Sequence, residues 1–340
     1  MNAMYSLVFV FLLVLIPLFG VGAAKLDFFF AVCVPYTAII IFVAGFACKV
    51  FKWAKSPVPF RIPTTGGQQQ SLDWISQNKW DNPSTGPQTV MRMLGEVLLF
   101  RTLFRNTRTK LSEGPVVSYA SSKWLWMFAI TFHYGFFLVF FRHFRLFLEP
   151  VPVFLDWLEF GDGILQIGVP RLYLSDLLLV AGVALLLGRR LWDAKVRYIS
   201  LVQDYFPLLL ILSIALSGVY MRYFAKVDVV AIKTLTIGLV TLHLPTAEQF
   251  AGVSPVFFVH LFLVCTLMIY FPFSKLMHLG GVFLSPTRNL PNDTRIHHHV
   301  NPWNPDIKPH SYAEYEKEFG VPMAEAGLPL DDPANGEAAE

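Results

Sequence analysis

The chain has 340 residues, 54% hydrophobic and only 15% charged, with a net charge of +3 and a mean hydropathy of +0.51. Soluble chains carry about 25% charged residues, and the apolar residues here fall in blocks too long for core helices, so the sequence reads as an integral membrane protein. No basic repeat, phosphate loop, dinucleotide fingerprint or nucleophile constellation is present, which argues against nucleic-acid, nucleotide and hydrolytic chemistry.

Taken in order, residues 5–24 form a first hydrophobic block. It lacks a basic leading region and a second block follows at once, so it is read as an uncleaved anchor helix. Residues 28–50 make the second span. A polar loop at 51–122 opens with the Pro- and Gly-rich run SPVPFRIPTTGGQQQ, which is no helix interior. It continues with QTVMRMLGEVLLFRTLFRN, whose helical apolar spacing is broken by Arg92, Arg101 and Arg105. This predicts an amphipathic helix on the membrane surface or against a partner.

Trp124 to Leu148 is the third span, followed by a loop at 149–170 bearing Glu149, Asp156, Glu159 and Asp162. Residues 171–188 and Leu201 to Tyr223 are the fourth and fifth spans, joined by the basic turn RRLWDAKVR. The run AIKTLTIGLVTLH is too short to cross and reads as re-entrant or interfacial. The sixth span runs from Pro255 to about Lys275, with His278 at its end. Residues 279–340 read as an extended tail. From Asn301 onward it has nine acidic and two basic residues and no core of its own, so it is expected to be disordered or ordered by a partner. Cys33, Cys48 and Cys265 all lie in apolar stretches without a CxxC pair, and read as small core residues rather than an iron–sulfur or disulfide framework.

Six spans put both termini on one side. Eleven Lys and Arg lie in 49–123, four in 189–197 and five from Lys275 onward, against seven on the opposite side. The positive-inside rule therefore places both termini and the long loop in the cytoplasm. The expected organisation is two helices in 1–50, a cytoplasmic loop in 51–122, a four-helix membrane region in 123–278 and the tail in 279–340.

An ionisable residue inside a span is costly and asks for a partner. The third span carries His133 and His143, ten residues apart, and the sixth carries His260 and His278, eighteen apart. Four imidazoles on two antiparallel spans suffice to hold two haems, and depth pairs His133 with His278 and His143 with His260. Ten residues of helix is about 15 Å and eighteen about 27 Å, five turns, so His260 and His278 share a face. The unequal separations are assigned to tilt and a kink at Pro272. Gly135 and Gly218 either let a porphyrin approach the backbone or serve helix packing, and Arg142 and Arg145 meet propionates or lipid headgroups. The competing use is a histidine-lined transporter, which calls for acids near mid-membrane; Asp176 and Asp204 sit near span ends. His243 lies in the half-apolar segment before the sixth span. His297, His298 and His299 read as a solvated loop rather than a metal tract.

At FHYGFFLVFFRH and the His260/His278 pair, the sequence resembles the cytochrome b (gamma) subunit of respiratory nitrate reductase, in which two haems b are held by histidines ten and eighteen residues apart. Two further segments, SPVPFRIPTTGGQQ and LSPTRNLPNDTR, resemble the membrane subunit DsrM of the DsrMKJOP complex of dissimilatory sulfur metabolism and its relative in membrane heterodisulfide reductase. The resemblance implies an all-α, six-helix, dihaem cytochrome b that oxidises menaquinol. Electrons would pass to a cytoplasmic iron–sulfur, DsrK-like subunit, beside other membrane and periplasmic subunits. The other alternative is a haem relay or anchor without its own quinol site. In the nitrate reductase subunit an outer-loop lysine lies near the quinol site; the 149–170 loop has none, which leaves Arg145, Glu149, Asp162 and Asp176 as quinol-site candidates beside the outer histidines.

Overall fold

The computed structural model describes the chain except residues 57–60, 62–65, 112, 115, 166–170, 251–252, 298–305, 307 and 337–340. It divides into two compact units, Met1–Ile296 and His297–Glu340. The first unit opens with α1 (Asn2–Gly22) and, after a π turn at Phe29–Cys33, α2 (Val34–Ala54). The long loop forms α3 (Gly86–Leu99) and an antiparallel hairpin of β1 (Thr107–Leu111) and β2 (Val117–Ser121). Then come α4 (Lys123–His143), the short α5 (Val153–Asp162), a two-strand contact of β3 (Gly163–Leu165) with β4 (Leu172–Tyr173), and α6 (Leu174–Trp192). The unit is completed by α7 (Val202–Tyr220), the twelve-residue α8 (Val229–Val240) and α9 (Pro255–Tyr270).

Among the described residues five helical segments are long and apolar enough to cross a membrane: Asn2–Gly22, Phe29–Ala54, Lys123–Leu146, Val202–Ala225 and Pro255–Phe273. The expected fourth span, α6, is set apart by charge rather than by fold. Asp176 and the pair Arg189 and Arg190 stand near its ends, while Leu177 to Gly188 is uncharged. It packs against both α4 and α7 as a full member of the bundle. The remaining order runs from α7 to α9 to α2, with α1 laid against α7 and α9. Large apolar side chains such as Phe9, Ile40, Val43 and Leu177 face outward, as a bundle solvated by lipid requires.

The α4–α6 crossing is made by two glycines. A Cβ on Gly135 would lie 2.6 Å from Leu179 N, and one on Gly182 would lie 2.6 Å from Phe132 Cα. Small residues let backbones approach in this way in membrane bundles. Of the two uses weighed for Gly135, helix packing is the one the structure shows.

The sixth span differs from its expectation. Pro272 has no amide hydrogen to donate and clashes with the preceding turn, so α9 ends at Tyr270, two residues earlier. A 3-10 turn at Phe271–Phe273 follows, and Ser274 is extended at φ −118°, ψ 176°. The Ser274 hydroxyl accepts from Leu276 N–H at 3.2 Å and starts a new turn. His278 therefore opens a separate four-residue helix, His278–Gly281, and the five-turn helix that put His260 and His278 on one face does not exist.

Part of the expected loop run SPVPFRIPTTGGQQQ lies outside the described residues. What is described joins the segment after His278 in one polar cap. Asn292 N–H donates to Pro83 O at 2.6 Å, its Nδ2 to Asn82 Oδ1 at 3.0 Å, and its Oδ1 accepts from Gln69 at 2.9 Å. Arg92 donates to Thr287 O at 2.6 Å, and Arg288 lies 3.4 Å from Glu96. The predicted amphipathic helix is α3; it stops where Phe100 turns left-handed at φ 50°, leaving Val90, Leu94 and Leu98 as an exposed apolar stripe.

The tail, expected to be disordered or ordered by a partner, carries local structure among its described residues. It forms α10 (Tyr312–Glu325), started by a capping box in which Ser311 Oγ accepts from Glu314 N–H and the Glu314 carboxylate accepts from Ser311 N–H. The buried Glu316 carboxylate takes the amides of Asp331 and Asp332 and the side chain of Asn335, folding the chain end back on the helix. Local polar bonds supply here what composition could not reveal. Of the histidine tract, only His297 lies among the described residues.

Candidate functional site

The bundle brings the four span histidines together as two facing pairs. His133 faces His278 with ring centroids 6.0 Å apart and planes crossed at 82°. His143 faces His260 at 6.3 Å with planes 11° from parallel. These are the pairings that depth alone anticipated, reached in spite of the break at Pro272.

Each ring is held by its Nδ1. On α4, His133 and His143 each meet the carbonyl one turn back, Ala129 O and Val139 O, both at 2.7 Å. His278 meets Lys275 O at 2.9 Å. A carbonyl can only accept, so these Nδ1 atoms carry the proton and each Nε2 keeps its lone pair. His260 differs. Its Nδ1 lies 2.9 Å from Ser217 Oγ on α7, and that hydroxyl donates to Ile214 O at 2.9 Å, which leaves it to accept from the imidazole. Occupied Nδ1 atoms are the usual outer support of metal-ligating histidines.

Metal–imidazole bonds of roughly 2 Å, with about 1 Å more from nitrogen to ring centre, put two imidazoles on opposite sides of one ion about 6 Å apart. Both pairs have that spacing. Among the described residues no group of three or more His, Cys, Asp or Glu is gathered to hold a metal. Each pair offers two facing imidazoles as nitrogen donors.

Beyond His143 lies a buried charge cluster. Arg142 donates to Asp162 at 3.0 Å, Ser175 Oγ at 2.6 Å and Asp176 at 3.1 Å. Asp162 also accepts from Ser175 N–H at 2.8 Å, and Tyr223 donates to Asp176 at 2.7 Å. The guanidiniums of Arg142 and Arg222 lie 3.5 and 4.3 Å from the Tyr173 ring centre, where a π face attracts cations. Arg142 therefore clamps α4, α5 and α6 together through two carboxylates and the Ser175 hydroxyl. Of the other candidates, Arg145 pairs with Glu159 and Glu149 with Lys233 of α8. Asp162 is shut in, whereas Glu149 is exposed.

Sequence reasoning missed Ser217, Tyr223 and Lys233. Ser217 and Gly218 are small residues in an apolar span, a signal usually spent on helix packing, and only the fold shows His260 above them. A Cβ on Gly218 would lie 3.3 Å from His260 Cε1.

On the cap side, the end of α3 is tied to the first pair. Tyr134 donates to Leu98 O at 3.0 Å, Trp126 to Leu99 O at 2.7 Å, and the Phe100 ring stands 4.9 Å from His133. Asp81 holds Arg101 and Arg105. Burial pushes its carboxyl up, but the hydrogen bonds from those arginines outweigh this and hold it below the ordinary Asp value.

The family model for the nitrate reductase gamma subunit matches residues 93–294. The chain is 46% identical over 280 residues to the Hdr-like menaquinol oxidoreductase cytochrome b-like subunit of Archaeoglobus fulgidus, covering 81% of this chain and 83% of the relative. The protein of the same description from Archaeoglobus profundus is 42% identical over 276 residues, covering 80% and 82%. The respiratory nitrate reductase 1 gamma chain of Escherichia coli is 30% identical over 165 residues, 44% of this chain and 69% of that one. With the family model spanning both histidine pairs and two relatives aligned over most of their length, the chain belongs to the nitrate reductase gamma subunit family, as a multi-pass, oxidoreductase-class membrane subunit of the cytochrome b-like kind.

Proposed function

We propose that this chain is the quinol-linked, dihaem electron-transfer subunit of a membrane complex. The observation that carries the reading is the pair of facing imidazoles at 6.0 and 6.3 Å, each with its Nδ1 engaged and its Nε2 free to ligate. His133 and His278 would hold one haem b, His143 and His260 the other. When bound, the two haems supply one-electron carriers at two depths of the bilayer.

The chain's own residues orient the rings and close the ends of the bundle. Counting α6 as the sixth span, the excess of Lys and Arg puts both termini and the α3 cap in the cytoplasm. Kinship with proteins described as menaquinol oxidoreductase subunits supports menaquinol as the reductant and an Hdr-like cytoplasmic iron–sulfur subunit as the acceptor. The exposed Val90, Leu94 and Leu98 stripe suits the docking of such a subunit.

Quinol oxidation releases protons and needs an acceptor open to water. Among the four candidates Glu149 is the exposed carboxylate, and it pairs with Lys233. Asp162 and Asp176 are committed to Arg142 and serve to hold the helices that carry His143. A transporter would place such acids near mid-membrane; here they sit at the helix ends.

The test is single replacement of His133, His143, His260 or His278 by Ala in the full chain. Each should remove about half of the haem b absorbance per protein. Full haem content in the single variants would defeat the assignment.

A further inference from the structure

The two histidine pairs differ in one respect that neither the spacing of the residues nor their identity conveys. One pair has crossed rings at 82°, the other nearly parallel rings at 11°. His133 and His143 are held alike, both on α4 and both anchored to the carbonyl one turn back at 2.7 Å. Their partners are held differently. His278 is anchored within its own turn, to Lys275 O. His260 is anchored to another helix through Ser217 Oγ, itself fixed by Ile214 O. Gly218 keeps the space in which that ring lies, since a Cβ there would come within 3.3 Å of Cε1 and 3.8 Å of Nδ1.

Ring orientation matters to a low-spin ferric ion with two axial imidazoles. Each ring donates π density into the iron d orbital that lies across its plane. Parallel rings act on the same orbital and split it from its twin, which gives a rhombic paramagnetic resonance spectrum. Crossed rings act on one orbital each and leave the two nearly equal in energy, which gives a strongly anisotropic spectrum with its main feature at low field. Ligand orientation and outer hydrogen bonds are levers the protein controls.

We propose that Ser217 and Gly218 are positioning residues that turn the His260 ring parallel to His143, making the two metal centres electronically unlike: rhombic at His143/His260 and strongly anisotropic at His133/His278. This rests on the dihaem reading above. Neither residue touches the ion; both act through His260.

The experiment is electron paramagnetic resonance of the oxidised full-length protein, with haem content measured on the same samples. The unaltered protein should show one rhombic and one strongly anisotropic low-spin species in equal amounts. Ser217→Ala should convert the rhombic species toward low field and leave the other unchanged, and Ser217→Thr, which keeps the hydroxyl, should restore it. Gly218→Ala should disturb the same species alone. Two species of one class in the unaltered protein, a result that needs no variant, would overturn the inference while leaving the dihaem reading intact. So would an unchanged rhombic signal in Ser217→Ala with haem retained. Purified protein without a haem spectrum would overturn both.

Discussion

Replacing Asp162 by Asn separates two roles that the sequence could not tell apart. If the carboxylate is a proton acceptor, Asp162→Asn slows quinol oxidation and leaves stability alone. The structure gives it another task. Its side chain is 2% exposed and that of Arg142 10%, and they meet at 3.0 Å. Removing one partner of a buried ion pair costs about 3–5 kcal/mol, because the other charge is left uncompensated. Asp176 still holds Arg142 at 3.1 Å, so the lower end, about 3 kcal/mol, is expected. At about 1.4 kcal/mol per tenfold, that is roughly a hundredfold in the unfolding equilibrium. The assay is unfolding of the purified protein in detergent by titration with SDS, followed by tryptophan fluorescence. Two comparisons sharpen it. Glu159→Gln, at the more exposed Arg145 pair, should change stability by about 1 kcal/mol at most. Arg142→Met with Asp162→Leu and Asp176→Asn, which removes all three charges, should recover most of the loss. Asp162→Asn within about 1 kcal/mol of the unaltered protein would refute the clamp.

Gly182→Leu should separate α4 from α6, because a Cβ alone already lies 2.6 Å from Phe132 backbone atoms; loss of folded protein on size-exclusion chromatography checks it, and normal yield would contradict the close crossing. Asp81, held below its ordinary value of 3.8, contributes stability that is present above that pH and lost as pH falls through its lowered folded value. Asp81→Asn should therefore make the cap as protease-sensitive at neutral pH as the unaltered cap becomes in acid; equal resistance of both proteins at neutral pH would count against it. Deleting Asn301 to Glu340 should weaken copurification of a cytoplasmic iron–sulfur partner while the haem spectrum stays intact, and unchanged copurification would argue that the second unit has another use.

The elements legible in the sequence were those governed by periodicity and solvent. Long apolar blocks announced the membrane helices because backbone polar groups in lipid must be satisfied within the segment. The cost of an ionisable group in such a block picked out His133, His143, His260 and His278, and the opposite course of two spans paired them by depth. The spacing argument behind the second pair did not survive. It required an unbroken helix from His260 to His278, and Pro272 with the extended Ser274 breaks it; the loop segment then returns His278 to the same depth by a different route.

What tertiary structure alone decided were matters of partner choice. Asp162 and Asp176 look the same in sequence as any carboxylate near a span end, and only the approach of α5 and α6 to Arg142 turns them into a clamp. Ser217 is one small residue among many until α7 sets it against His260. Asn82 and Asn292 lie 210 residues apart and meet only because the loop and the segment after His278 fold over one another. The reason is physical. Hydropathy is a sum over neighbours along the chain, and so it is written in the order of the residues. A hydrogen bond or ion pair is directional and short-ranged, and it exists only once the fold has placed both partners within about 3 Å.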